Sequence, residues 1–200
     1  MSKKDNLLKA IAPVNRGIQI TEVQKIAIFS AVAYLEEMNP TPKPTEAAEL
    51  LTGDWQLLFT TSKDLLGFDR LPFVKLGQIY QCVRAAEGKI YNVAELMSLP
   101  LLEGLVSVCA SFTVVSDLRV KVNFERFVIG SQRLIGYRNI SDFVEILASG
   151  QKLRAIDSKI KNREQRGWLE TTYLDDDLRI GRGNEGSLFV LRKVKRLSFL

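Results

Sequence analysis

Histidine does not occur anywhere in the 200 residues. The commonest general base and the commonest imidazole metal ligand are therefore missing, and Ser-His-Asp and Cys-His mechanisms are excluded. Cysteine is nearly as scarce. Cys82 and Cys109 are the only two; neither belongs to a C-x-x-C pair, and each lies in an apolar run, which reads as two buried, reduced thiols in a reducing compartment. Aromatic residues make up 8%, and the basic tracts Lys152–Arg166 and Arg179–Arg196 lack the aromatic interleaving of a single-strand binder, so no nucleic-acid partner is expected. No long apolar segment follows Met1-Ser2-Lys3-Lys4-Asp5-Asn6, and no Ser/Arg-rich leader is visible. The expectation is a chain made soluble inside the cell, with any membrane association peripheral.

What is present suits one domain of ordinary size with a substantial core: apolar residues make up 46% of the chain. A net charge of +5 fits a solvated basic face or weak attraction to an anionic surface. Composition changes near residue 40. Before it the pattern is helical, with Leu7, Leu8 and Ile11 on one face of a short helix. Thr21-Glu22-Val23-Gln24 forms a capping box, and Val23, Ile26, Ala27, Ser30, Ala33 and Tyr34 make a stripe of helical period over about Glu22–Glu37. Prolines 40, 42 and 44 then enforce a stiff extended tether, after which Thr45 is expected to cap a brief helix ending near Leu51.

From Gly53 the period becomes two. Trp55, Leu57 and Phe59 share a face, and Gln78–Arg84 with Lys89–Leu96 reads as a hairpin around Glu87-Gly88. Val106, Val108, Ala110, Phe112 and Val114 alternate with small hydroxylated or thiol residues. Val120, Val122 and Phe124 are in phase, whereas Phe127 and Ile129 are not. Either a bulge sits near Arg126 or Arg126 points inward. Ser141–Ser149 reads as a short helix closed by Gly150. Strands at about Gly167–Leu174, Leu178–Gly181 and Ser187–Lys193 end the chain. Short strands without alternating helices indicate a mainly β, antiparallel sandwich or barrel of about eight to ten strands, with two N-terminal helices and a short helix before the last strands. The N-terminal helical segment is placed at residues 1–39, packing on a barrel at 45–200.

Gly181-Arg182-Gly183-Asn184-Glu185-Gly186 matches the dinucleotide pattern G-x-G-x-x-G, but a β run, Ser187–Leu191, follows where the motif needs a helix. A hairpin turn, with Gly183, Asn184 and Gly186 at positive φ, is the better reading. Asp175, Asp176 and Asp177 cannot converge on one ion if they lie on a strand. They read first as a turn held by Arg179 and Arg182, next as a polar site at a barrel mouth, and last as a metal site. Glu95, Glu103, Glu125 and Glu170 are scattered, with no spacing that specifies paired-acid chemistry. No enzyme activity, no metal and no cofactor are expected.

"GWLETTYLDDDLRIGRGNEGSLFVL" resembles the C-terminal signature of the plastid lipid-associated protein (PAP/fibrillin) family. "NPTPKPTEAAELLTGDWQLLFTTS" resembles its N-terminal signature, and "PFVKLGQIYQ", "YNVAEL" and "VKVNFERFVIG" are similar to further family segments. The resemblance runs from about Leu7 to Lys193 and suits a short member from a photosynthetic prokaryote or a mature plastid form. It implies a lipocalin-like barrel, no catalysis, and peripheral association with thylakoid membranes or lipid globules on the cytoplasmic (stroma-equivalent) side. It also implies a hydrophobic lipid ligand of isoprenoid, quinone or carotenoid type and a part in protection from light stress. The alternatives are a structural coat on membranes or globules, or a protein partner of an isoprenoid-quinone biosynthetic enzyme. By its likeness to the lipocalin G-x-W, Trp55 is expected to close one end of the barrel beneath Arg179 or Arg192. Phe59, Tyr91, Phe112, Phe124, Arg126 and Tyr173 are the expected pocket-lining residues.

Overall fold

The computed structural model describes residues 2–62, 75–97, 103–160 and 166–195. Among these, nine strands form one antiparallel sheet: β1 (Gly53–Thr60), β2 (Lys75–Arg84), β3 (Lys89–Met97), β4 (Gly104–Val114), β5 (Arg119–Ser131), β6 (Ile156–Lys159), β7 (Arg166–Leu174), β8 (Leu178–Gly183) and β9 (Leu188–Lys193). Eight follow one another around a ring, β4-β3-β2-β1-β9-β8-β7-β5, which the pairing of β4 with β5 closes into a barrel. Closure removes the unpaired edges that an open sheet would expose. At 13 residues, β5 is long enough to serve two further neighbours. Arg119–Asn123 pairs with β7, and Arg126–Ile129 pairs with the extra strand β6. Neither the alternation nor the turn signals of the sequence mark β6. Residues 72–74 of the family-like "PFVKLGQIYQ", residues 161–165 of the first basic tract and Arg196 of the second lie outside the described residues.

Strand side chains alternate between faces, so an extra residue reverses every side chain beyond it. Four register shifts do this. On β1 the partner pairs jump from Leu57↔Leu191 to Phe59↔Val190. On β2 they jump between Leu76 and Ile79, and on β7 from Thr171↔Gly181 to Tyr173↔Ile180. On β5 the partners of Cys109 and Ala110 are Arg126 and Phe124, which leaves Glu125 as the bulged residue. The phase break at Arg126 is therefore a bulge, and Arg126 points outward.

The inward faces build one core from Leu51, Trp55, Leu57, Ile79, Val83, Ile90, Ala94, Ala110, Val120, Val122 and Leu191. Two outward patches remain apolar, and helices cover both. Over the end of β1 and over β7–β9 lie α1 (Lys3–Ile11) and α2 (Glu22–Glu37), which pack Leu7, Ile11, Ile28, Val32 and Leu35 against Phe59, Tyr173, Leu178, Ile180, Leu188 and Val190. On the other side, α4 (Gln132–Ile135) and α5 (Ile140–Ala148) bury Ile135, Ile140, Phe143, Val144 and Leu147 against Cys82, Tyr91, Val93, Leu105, Cys109 and Val128. Each fully buried aliphatic side chain contributes roughly 1.5–3 kcal/mol.

The α2 stripe read from the sequence faces solvent. Val23 is 78% exposed, Ile26 66% and Tyr34 40%, while the packed face is Ile28, Val32 and Leu35. The helix is apolar on two sides, and the sheet needs only one. A short third helix, α3 (Ala48–Leu51), starts at Ala47 without a side-chain cap. Thr45 does not cap it; its hydroxyl donates across to the Ser116 and Asp117 carbonyls instead. The proline segment is bound to the barrel end, with the Thr41 hydroxyl on the Leu174 carbonyl at 2.7 Å and the Asn39 amide oxygen accepting from the Leu174 N–H at 3.0 Å.

β6 and α5 are joined through Arg126, whose Nε and Nη2 meet Asp157 at 2.8 and 2.7 Å and whose Nη groups also reach the Leu147 and Gln151 carbonyls. Hydrogen bonding from Arg126 holds the Asp157 carboxyl below the usual carboxylate range, although burial alone would raise it. The pair's contribution is therefore present above pH ~4 and lost as pH falls through the lowered value. Replacing Asp157→Asn strands a largely buried cation. A loss of about 3 kcal/mol in denaturant unfolding is expected at neutral pH, with the difference from the parent shrinking in acid.

The barrel interior and its floor

β1 enters the sheet at the Trp55 end, so the turns joining β2 to β3, β4 to β5 and β7 to β8 share that end with the proline segment and α3. Connections from β1 to β2, β3 to β4 and β8 to β9 leave from the opposite end, the mouth. Trp55 is fully buried and donates its indole N–H to the Leu51 carbonyl at 2.9 Å, which ties the barrel floor to α3. Two cations stack on its ring. The Arg179 guanidinium carbon lies 5.0 Å and the Lys193 ammonium 5.1 Å from the centroid. Arg192 is exposed and on the outer face, opposite Gln56. One-residue parity gives the second position to Lys193, whose ammonium also donates to the Leu50 carbonyl at 2.9 Å.

Arg179 is 2% exposed. Its Nη2 donates to the Gln81 amide oxygen at 2.6 Å, and the Gln81 nitrogen donates to Asn92 at 3.0 Å. Arg179 Nε is buried with no hydrogen-bond partner, and among the described residues no carboxylate pairs with this guanidinium. Burial pushes its pKa down to about 9, still above neutral pH, so the group stays charged. Burial likewise lowers Lys193, with Arg179 acting in the same direction.

Above the floor the inward surface is incompletely filled. Gln81, Asn92, Val108, Phe112, Phe124, Phe127, Ile129, Leu169 and Phe189 point inward by register yet are only half-buried. In a solid barrel of this width their side chains would fill the interior. Of the six expected lining residues, Phe112 and Phe124 face this space. Phe59, Tyr91, Arg126 and Tyr173 do not. The bulges on β1, β5 and β7 turn Phe59, Arg126 and Tyr173 outward, and Tyr91 lies outward between Cys82 and Cys109 beneath α5. Gln81, Asn92, Phe127, Leu169 and Lys193 were not singled out from the sequence. Their inward parity with Trp55 becomes readable only once the strand partners are known.

The aspartate run is the β7–β8 turn at the floor end, away from the mouth. Asp175 Oδ1 accepts from the Asp177 and Leu178 N–H groups at 3.0 and 2.8 Å, and Oδ2 accepts from the Tyr173 hydroxyl at 2.6 Å. Its cation is Lys4 of α1, 2.6 Å from Asp175 and also paired with Asp177. Arg182 instead grips Glu36 of α2, and Arg179 is inside. Among the described residues no three ligating side chains form a metal cluster. Gly181–Gly186 spans the end of β8 and the turn to β9. Only Gly186 has positive φ, at 71°. Gly181 and Gly183 are strand residues where a Cβ would come within 3.0 Å of the Glu170 carbonyl and the Phe189 ring. Both cysteines are buried and free, and burial pushes both thiols up.

A closed antiparallel barrel with a Gly53-Asp54-Trp55 floor, outer helices and an apolar interior defines a lipocalin-like protein. Comparison with known sequences is more specific. The PAP_fibrillin family model matches residues 1–192, and the chain belongs to the PAP/fibrillin family of plastid lipid-associated proteins. It is 35% identical over 95% of its length to a chromoplast-specific carotenoid-associated protein of Cucumis sativus, covering 67% of that protein. It is 33% identical over 95% to a chloroplastic light-induced protein of Solanum tuberosum, covering 66%. To a probable plastid-lipid-associated protein 2 of Arabidopsis thaliana it is 32% identical over 95%, covering 70%. The chain thus spans about two thirds of the length of these relatives, of which the first is named for carotenoid, the second for light induction and the third for plastid lipid. No solved structure matches the chain significantly.

Burial alone would raise the Asp175 carboxyl, but hydrogen bonds from Lys4, Tyr173 and the backbone N–H groups of Asp177 and Leu178 hold it well below the usual range. Its contribution to docking α1 is present above pH ~4 and fades as pH falls through the lowered value. Lys4→Met is expected to cost about 1 kcal/mol and to speed amide exchange in Leu7–Ile11 while the barrel strands keep their protection.

Proposed function

We propose that this protein binds a hydrophobic lipid of isoprenoid, quinone or carotenoid type inside its barrel without catalysing a reaction on it. The observation that carries this reading is the half-buried inward surface between the Trp55 floor and the mouth, lined largely by Val108, Phe124, Phe127, Ile129, Leu169 and Phe189. Apolar ligand surface removed from water there is worth about 25 cal/mol per Å², so a long chain needs few polar contacts. The lipid- and carotenoid-associated names of the relatives point the same way.

The exposed stripe of α2 supports a second element of the reading: peripheral docking on a photosynthetic membrane or lipid globule from the cytoplasmic (stroma-equivalent) side. Val23, Ile26, Tyr34 and Met38 face outward, and Lys3 sits over the Tyr34 ring at 4.2 Å. Apolar side chains flanked by snorkelling cations are the composition of an interfacial helix. No helix among the described residues is long and apolar enough to cross a membrane. If the stripe acts alone, the protein is a structural coat; if it meets a protein, the partner reading of a quinone-synthesis enzyme applies.

Incubation with a prenylquinone followed by gel filtration is expected to leave about one quinone per chain, read from its absorbance. A protein that emerges free of quinone would defeat the interior reading. Separately, Val23→Asp with Ile26→Asp is expected to abolish flotation with anionic vesicles while leaving the melting temperature and quinone uptake unchanged. Flotation equal to the parent would remove α2 from the account.

A further inference from the structure

The floor of the barrel carries more positive charge than its structural role needs. One inward row of side chains runs Lys193–Trp55–Gln81–Asn92–Val108–Phe127 across six neighbouring strands. Arg179 pairs with Leu191, which pairs with Leu57, so it stands one inward step above Trp55, toward the mouth. A guanidinium has five N–H donors. Among the described residues Gln81 is its only acceptor, and its Nε has none. A buried cation without a counter-charge is costly, and Lys193 brings a second positive charge to the same ring. The donor relay from Arg179 through Gln81 ends on the half-buried amide of Asn92. Gln81 and Asn92 are inward and half-buried, so the relay carries the buried guanidinium's charge to the apolar space above.

We propose that the barrel's lipid ligand ends in a carboxylate, held at the Arg179–Gln81–Asn92 relay with its chain running toward the mouth past Phe124, Leu169 and Phe189. This rests on the reading that the interior holds a lipid and departs from it at the head group: a chain, isoprenoid or straight, that ends in a carboxylate is favoured over a neutral quinone. The carboxylate supplies the acceptors and the counter-charge that Arg179 lacks, and charge-assisted hydrogen bonds to a desolvated guanidinium favour it over a neutral head. An ester or a hydrocarbon of equal length buries the same chain but leaves the guanidinium uncompensated.

The chain has two tryptophans, so Trp168→Phe leaves Trp55 as the sole reporter. In that background, hexadecanoic acid brominated beside the carboxyl is expected to quench Trp55 strongly, and the same acid brominated near its far end weakly. Unlabelled hexadecanoic acid should displace it at least tenfold better than the methyl ester. Asn92→Leu, which leaves the Arg179–Trp55 stack in place, should reduce the acid-over-ester preference several-fold, and Arg179→Met should remove it. If Arg179→Met does not fold, Asn92→Leu alone decides. Equal binding of acid and ester, stronger quenching by the far-end bromide, or an unchanged preference in Asn92→Leu would overturn this inference while leaving the interior lipid reading intact. Binding of neither acid nor ester would count against both.

Discussion

Trp55 carries two cations on its ring at one end of a closed barrel, and the end of the barrel is built around that contact. Its indole N–H fixes α3, its ring carries Arg179 and Lys193, and it lies fully buried at the end where the proline segment enters the barrel. The interior therefore has a direction: a positively charged end at Trp55, and the opposite end at which β1, β3 and β8 finish. A cation desolvated against an aromatic face is strongly attracted to it, yet the stack satisfies neither its hydrogen bonds nor its need for a counter-ion.

Eight strands alone leave the outside of such a barrel too apolar for water. Helices cover two patches: Lys4 to Asp175 and Arg182 to Glu36 are ion pairs that fix one, and on the other Arg126, paired with Asp157, donates to the Leu147 carbonyl of α5 while Asp54 is paired with Arg84. Asp54 also accepts from Ser141 of α5 at 2.6 Å, so the residue between the glycine and the tryptophan of the floor signature ties the opposite helix layer to it. The second apolar face of α2 remains uncovered. A single helix therefore holds the N-terminal layer to the barrel and presents an apolar, lysine-flanked surface outward.

The architecture was legible in the sequence because it rests on local signals. Period-two runs, the Gly88 and Gly186 turns, the capping box at Thr21 and the prolines before α3 each read correctly from a few neighbouring residues. The family signatures led to the barrel and to Trp55 with Arg179. The side on which a residue lies was less legible, because each bulge reverses parity without leaving a mark in composition. Phe59 and Tyr173 are one bulged residue away from facing inward. Arg192 lost its expected place to Lys193 by a single position, and Gln81 and Asn92 look like ordinary strand polar residues until β1, β2 and β3 are set side by side. The glycines of Gly181–Gly186 were correctly a hairpin, but two of the three answer to close packing between strands rather than to positive φ. The α2 stripe was found by its period, but its exposure was not legible, since periodicity shows that a face is apolar and not what covers it.

A hollow space above Trp55 that holds one lipid would show in native mass spectrometry of the protein purified without detergent. The expected result is a species heavier than the 22.5 kDa chain by the mass of a single lipid, converted to the bare chain by solvent extraction and restored by adding the extract back. A protein that is bare as purified, and stays bare after exposure to excess lipid, would contradict it.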